Sequence, residues 1–154
     1  KDGDYQNIKT INSVGTSSWT DGSVKTGKTY YYKIKTVVKT QNGEQTSGFS
    51  NVKSAKAVPA KTTLKAKASD AKNVKLTWSK VKGASGYEIY RSNSKDGKCS
   101  KVKTISKGST TSYKNGKLKK STTYYYKIRA YRKVNGKKVY GSYSSVVSVK
   151  TKAK

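Results

Sequence analysis

The groups that could do chemistry are few. The carboxylates are Asp2, Asp4, Asp21, Glu44, Asp70, Glu88 and Asp96, and no two fall on facing strands as an acid–base pair would require. There is no histidine, so a Ser-His-Asp site, a histidine general base and histidine metal ligands are all excluded. One cysteine, Cys99, excludes internal disulfides and cysteine-rich zinc sites. Lys98 and Lys101 flank Cys99, but the position reads as an incidental turn-edge residue rather than a reactive thiol. Asp2-Gly3-Asp4 is too short of ligands for calcium and reads as turn. Ser-x-x-Lys matches, such as Ser69 with Lys72, arise by chance in a chain this rich in both residues, and serine–lysine catalysis needs a preformed pocket. The expectation is a chain that is not an enzyme and holds no metal or cofactor.

What stands out is charge. The 154 residues carry 35 Lys+Arg against 7 Asp+Glu, a net charge of +28, where a small domain usually carries about 2–8 in magnitude. The imbalance is uneven: residues 1–58 hold 9 basic and 4 acidic residues, residues 59–154 hold 26 and 3. Self-repulsion on this scale costs stability, so the charge implies polyanion partners, teichoic acid or acidic glycans among them. Lysines outnumber arginines 32 to 3. That favours diffuse electrostatics over bidentate readout of bases, and no helix for a major groove is in sight, so sequence-specific nucleic-acid binding is not expected. No apolar run reaches the length of a membrane span. The absence of Met suggests a processed or excised fragment.

Leu, Ile, Val and Phe total only 24, a composition that often goes with disorder. Thirteen Tyr and two Trp supply the missing buriable area, and they recur with a period. An offset of 94 aligns Ile8-Lys9-Thr10-Ile11 with Val102-Lys103-Thr104-Ile105, and Trp19 with Tyr113. It aligns Thr29-Tyr30-Tyr31-Tyr32-Lys33-Ile34-Lys35 with Thr123-Tyr124-Tyr125-Tyr126-Lys127-Ile128-Arg129. Asn42-Gly43 matches Asn135-Gly136 after a one-residue slip. The reading is a partial copy over 1–57, a linker at 58–60 around the only Pro, and a complete copy over 61–152. Apolar–polar alternation in 74–78, 87–91 and 124–131, punctuated by Asp-Gly and Asn-Gly pairs, argues half-buried antiparallel strands. About seven such strands per copy make a two-sheet, all-β sandwich.

The complete copy resembles a fibronectin type III domain. The resemblance rests on Trp78 in a second strand with Val74 and Leu76, on Tyr87-Glu88-Ile89-Tyr90-Arg91 as a third, and on Leu118 six residues before Tyr124. It implies a core of Trp78, Tyr87, Ile89, Leu118, Tyr124, Tyr126 and Ile128, with the Tyr124 hydroxyl tied to nearby backbone. It transfers no catalytic residue. The first copy keeps Val24…Tyr30 as the same corner, with strands from about C′ to G, and lacks A, B and C. The wording of the repeat is similar to modules of secreted and surface proteins of Gram-positive bacteria, which implies an extracellular or cell-wall setting. The expected role is a spacer and cationic module on anionic wall or host polymers. The alternatives are a filament-forming repeat or an accessory domain of a carbohydrate-active or cell-wall enzyme.

With Tyr124, Tyr126 and Ile128 facing inward, Tyr125, Lys127, Arg129 and Tyr131 face outward, beside Tyr90 and Arg91 on the neighbouring strand. This is the predicted polyanion- and glycan-binding face. The same alternation points Glu88 outward, so it is expected exposed, which argues against an acid-promoted Lys–Asn crosslink. Half a sandwich leaves Tyr30, Tyr32 and Ile34 open. A longer native chain, a tandem array, a neighbouring repeat of the same chain or another chain is expected to cover them.

Overall fold

The computed structural model describes residues 3–154. Asp2, part of the Asp2-Gly3-Asp4 reading, lies outside the described residues. The chain divides into two compact units, Lys1–Ala57 and Val58–Lys154. The segment 58–60, expected as a linker, falls within the second; Pro59 is buried, and its carbonyl lies where a side chain on Gly141 would go.

The first unit has four short strands: β1 (Thr29–Tyr32), β2 (Val37–Thr40), β3 (Gly43–Thr46) and β4 (Lys53–Lys56). β1 pairs with β4 and β2 with β3, both antiparallel. None of its described residues is buried. Residues 3–28 form no strand, which corrects the expected C′-to-G content of this copy: all four of its strands lie within residues 29–56. Ile8, Ile11 and Trp19 lie exposed, with no strand of the described residues over them.

The second unit is complete. One sheet runs β5 (Leu64–Ala68), β6 (Val74–Trp78), β9 (Ser112–Asn115). The other runs β8 (Ser100–Ile105), β7 (Gly86–Ser92), β10 (Thr123–Val134), with β11 (Lys137–Tyr140) and β12 (Val147–Lys150) both against β10. The alternating apolar positions face each other between the sheets: Val74, Leu76 and Trp78 against Tyr87, Ile89, Tyr124, Tyr126 and Ile128, closed by Leu118. All seven residues named for the core are buried. Truncating such aromatics would cost about 3–5 kcal/mol each. The Tyr124 hydroxyl accepts from the Lys119 N–H at 2.9 Å, which fixes the corner before β10.

The 94-residue repeat persists at the level of single hydrogen bonds. Tyr30 accepts from Lys25 N–H as Tyr124 does from Lys119 N–H, both at 2.9 Å. Tyr32 donates to Asp21 at 2.9 Å and Tyr126 to Asn115 at 2.8 Å. Ile34 N–H donates to the Ser50 hydroxyl and Ile128 N–H to that of Ser144, both at 3.1 Å. The hairpin register keeps the same offset, Val37 with Thr46 and Tyr131 with Tyr140. No slip is needed: the turn absorbs the displaced Asn-Gly. Asn135 and Gly136 both take positive φ (48° and 75°) in a tight two-residue turn, whereas in the first copy only Gly43 does.

Candidate functional site

The predicted face is the outer side of the β8-β7-β10-β11 sheet, and its centre is Glu88. Parity does point Glu88 away from the core, yet its side chain is only 1% exposed. This corrects the expectation of an exposed acid. Arg129 sits opposite it on β10, and β11 brings Lys138 and Tyr140 over it. Long side chains with apolar stems cover what backbone alternation leaves open. The carboxylate accepts from Tyr90 hydroxyl (2.8 Å) and Arg129 Nη2 (2.9 Å) on one oxygen. On the other it accepts from Lys138 Nζ (2.9 Å) and Tyr140 hydroxyl (3.2 Å), with Lys101 at 3.6 Å. Its full acceptor capacity is used. Burial raises its pKa, and the hydrogen bonds from Lys138, Arg129 and Tyr90 overcome that, holding the group at about 2. Burial, with the bond to Glu88 among further causes, raises the Tyr90 phenol in turn.

The cations of this face are largely committed. The Arg129 guanidinium lies 3.7 Å from the Tyr140 ring, 4.8 Å from Tyr143 and 5.4 Å from Tyr90. Lys127 lies 4.5 Å from Tyr143 and Lys138 4.4 Å from Tyr131. Tyr90 meets Tyr143 edge-on at 5.2 Å. The structure therefore brings Tyr90, Lys127 and Arg129 together, but around an internal acid and one another's rings.

Two of the named residues do not belong there. Tyr131 is buried, because its register partner Gly86 has no side chain and the ring lies over that gap. Its hydroxyl donates to Ile105 C=O at 3.3 Å, and a Cβ on Gly86 would come within 2.6 Å of it. Arg91 has the inward parity of Tyr87 and Ile89; its Nη1 donates to Asn115 at 3.2 Å and its guanidinium lies 5.1 Å from the Tyr124 ring, at the end of the core. Tyr125 stays on the outer face, half-buried, with Ser92 and Ser148 beside it across the ladder. Cys99 is half-buried and free. Among the described residues no three His, Cys, Asp or Glu side chains cluster as metal ligands.

The opposite sheet carries the feature that the sequence reading missed. On the outer side of β5-β6-β9, Lys67 is directly paired with Lys75, and Lys75 with Lys114. Lys65 stands two residues further along β5, in line with Thr77 and Ser112. All four lysines are exposed, and none takes part in an ion pair among the described residues. Neighbouring strands lie about 4.8 Å apart, so the backbones of three lysines share a row about 10 Å long. Like charges directly opposite are destabilising. Asp70, in the turn between β5 and β6, is held by that turn: it accepts from Lys72 N–H (2.8 Å) and Asn73 Nδ2 (2.9 Å), which lower its pKa, helped by the field of Lys114. The signal was present in the sequence as Lys at alternate strand positions. Only the pairing register aligns them.

The comparisons fit this architecture. No protein-family model and no curated protein matches the sequence. Among solved structures, the FN1-FN3 domains of chicken CNTN1 are similar at 22% identity and TM-score 0.54, covering 87% of this chain and 46% of that one. This chain thus corresponds to less than half of that fragment. The sixth fibronectin type III domain of human fibronectin type III domain containing protein 3 is similar at 18% identity and TM-score 0.53, covering 65% of this chain and 92% of that one. The structure named FN3tt is similar at 21% identity and TM-score 0.51, covering 64% and 99%. The fold is the fibronectin type III-like antiparallel β-sandwich.

Proposed function

We propose that this chain is a non-catalytic module that spaces its neighbours and holds them at an anionic polymer, with the outer face of β5-β6-β9 as the contact. The observation that carries this reading is the row Lys67-Lys75-Lys114, a like-charge ladder in which no lysine forms an ion pair among the described residues. A linear polyanion laid across the strands supplies the missing counter-charge and releases its own counterions. The Tyr90–Arg129 face serves this role less well, because Glu88 and the tyrosine rings already engage its cations. Teichoic acid and acidic glycans are the polymers within reach of a secreted or wall-associated protein, the setting that fits a fibronectin type III-like module.

The test is retention on purified Gram-positive walls, with and without teichoic acid, across about 50–200 mM salt. Changing Lys67, Lys75 and Lys114 together to Gln should flatten the slope of log affinity against log salt by about 2–3, at roughly 0.7–0.9 per phosphate contact. The same charge change at the exposed Lys82, Lys107 and Lys120 should leave most of the slope. Equal losses from both triple variants would mean a diffuse cloud rather than a site. No retention at low salt would leave only the spacer.

A further inference from the structure

We infer that the depression on the outer side of β6 and β9 takes a phosphodiester that joins two polyol units; this deepens the reading of the sheet as an anionic-polymer contact and rests on it. The depression has a volume of about 310 Å³ and is lined by Ser69, Lys75, Ser112, Tyr113 and Lys114. Lys75 and Lys114 are direct partners across β6 and β9, and neither forms an ion pair among the described residues. The two serines stand on either side of that pair. Ser69 follows β5, and its N–H donates to Asn73 C=O, which puts it one step beyond the lysine row. Ser112 is paired with Thr77, one step from the row at the other end. Each step is two residues along a strand, about 7 Å. Both serines are exposed, and neither hydroxyl has a hydrogen-bond partner among the described residues. Tyr113, half-buried, gives the depression an aromatic border.

The order along the depression is hydroxyl, ammonium pair, hydroxyl. A polyol-phosphate chain has the same order, because its charge lies in the chain itself, between two neutral units that bear hydroxyls. An acidic glycan carries its charge as a pendant group on the sugar, so charge and hydroxyls do not alternate along its axis. Two ammonium groups on adjacent strands suit the two charged, non-bridging oxygens of one phosphodiester. Each lysine is a compact point charge with rotatable donors, and it binds phosphate in that way. The planar guanidinium fork that grips a carboxylate with two parallel bonds is absent here, since Arg91 lies on β7 and Arg129 and Arg132 on β10. The serine hydroxyls can donate to or accept from the flanking polyol, and the Tyr113 ring offers an apolar surface to its C–H groups. No acid lines the depression, and Asp70, beside Ser69 in sequence, is engaged by Lys72 N–H and Asn73.

The probes are a short glycerol-phosphate oligomer, an oligogalacturonate with the same number of charges, and inorganic phosphate. Each is titrated into the intact chain at about 50 mM salt, where charge contacts are strong, and read by isothermal calorimetry. The phosphate oligomer should bind about tenfold more tightly than the galacturonate, and Ser69→Ala with Ser112→Ala should remove that advantage, two hydrogen bonds being worth about that factor. Galacturonate binding should be unchanged by the serine pair, and both oligomers should weaken with Lys75→Gln plus Lys114→Gln. All four side chains are exposed, so these variants keep the fold. Equal binding of the two oligomers, or a phosphate preference that survives the loss of both serines, overturns the inference and leaves the anionic-polymer reading standing. Inorganic phosphate that displaces the oligomer at equal concentration assigns the depression to the free ion and overturns it too. Absence of oligomer binding by a chain still retained on purified walls overturns the inference alone, whereas loss of that retention is what sinks the broader reading.

Discussion

Ile34 and Ile128 each donate a backbone N–H to a serine hydroxyl sixteen residues further on, at the same 3.1 Å. One side chain is three-quarters exposed and the other is fully buried. The same holds for the tyrosine corners, whose hydroxyl bonds are equal in length while Tyr30 is half-buried and Tyr124 buried. Even the cation–ring contacts recur: Lys33 lies 4.0 Å from Phe49 and Lys127 4.5 Å from Tyr143. The two copies thus separate two contributions that are usually tangled. Corner, hairpin and cation–ring contacts are written in local sequence and form without a core. Burial comes only with β5, β6 and β7. A short hairpin without a covered face is marginal at best, so cooperative stability should belong to the second unit.

The largest effect expected from this contrast is at Trp78. Trp78→Ala removes about 3–5 kcal/mol of packing, a large share of a small domain's stability. Its indole N–H has no partner among the described residues, so nothing polar offsets the loss. Urea unfolding followed by circular dichroism should lose its cooperative transition, while Trp19 fluorescence, reporting the first copy, should barely change. An unaltered midpoint would break the assignment of the core to β6.

Next is Glu88, the buried acid of the second unit. Glu88→Gln keeps the shape but leaves Arg129 and Lys138 without their counter-charge, for a cost of about 1–3 kcal/mol. The pH dependence sharpens this. A group lowered from 4.5 to about 2 on folding contributes stability that is fully present above 4.5. That contribution is lost as the pH falls through the window down to about 2. Urea midpoints measured from pH 6 to 2 should converge for wild type and variant at the acid end. Parallel curves would show that the carboxylate is not held low.

The smallest effect is at the corners. Tyr124→Phe should cost about 0.5–1.5 kcal/mol for one hydrogen bond, seen as a modest midpoint shift. Tyr30→Phe should leave that transition where it was. Amide exchange should reveal the Lys119 N–H as protected and the Lys25 N–H as fast, in spite of their identical bonds.

Alternation made most of the second unit legible, since Val74, Leu76, Trp78, Tyr87, Ile89, Tyr124, Tyr126 and Ile128 each bury on the side that parity assigns. It failed where a neighbour decides exposure. Glu88 and Tyr131 are covered by side chains from β11 and by a gap at Gly86, neither of which leaves a periodic mark in its own strand. Arg91 was placed with Tyr90 by adjacency, when adjacency in a strand means opposite faces. The Lys67-Lys75-Lys114 row needed the register of three strands. In the first copy, the repeat implied strands from about C′ onward, and residues 3–28 form none, because a ladder needs a partner as well as a pattern.

The lysine row also bears on the chain before it folds. During synthesis β6 leaves the ribosome ahead of its partner β9, and β7 ahead of its partner β10, each more than thirty residues downstream. In that interval their apolar positions and backbone edges are open to other nascent chains. Residues 59–94 carry eight basic side chains against two acidic ones, and two copies meeting edge to edge would bring lysine against lysine. The repulsion that burdens the finished sheet keeps the unfinished one from aggregating.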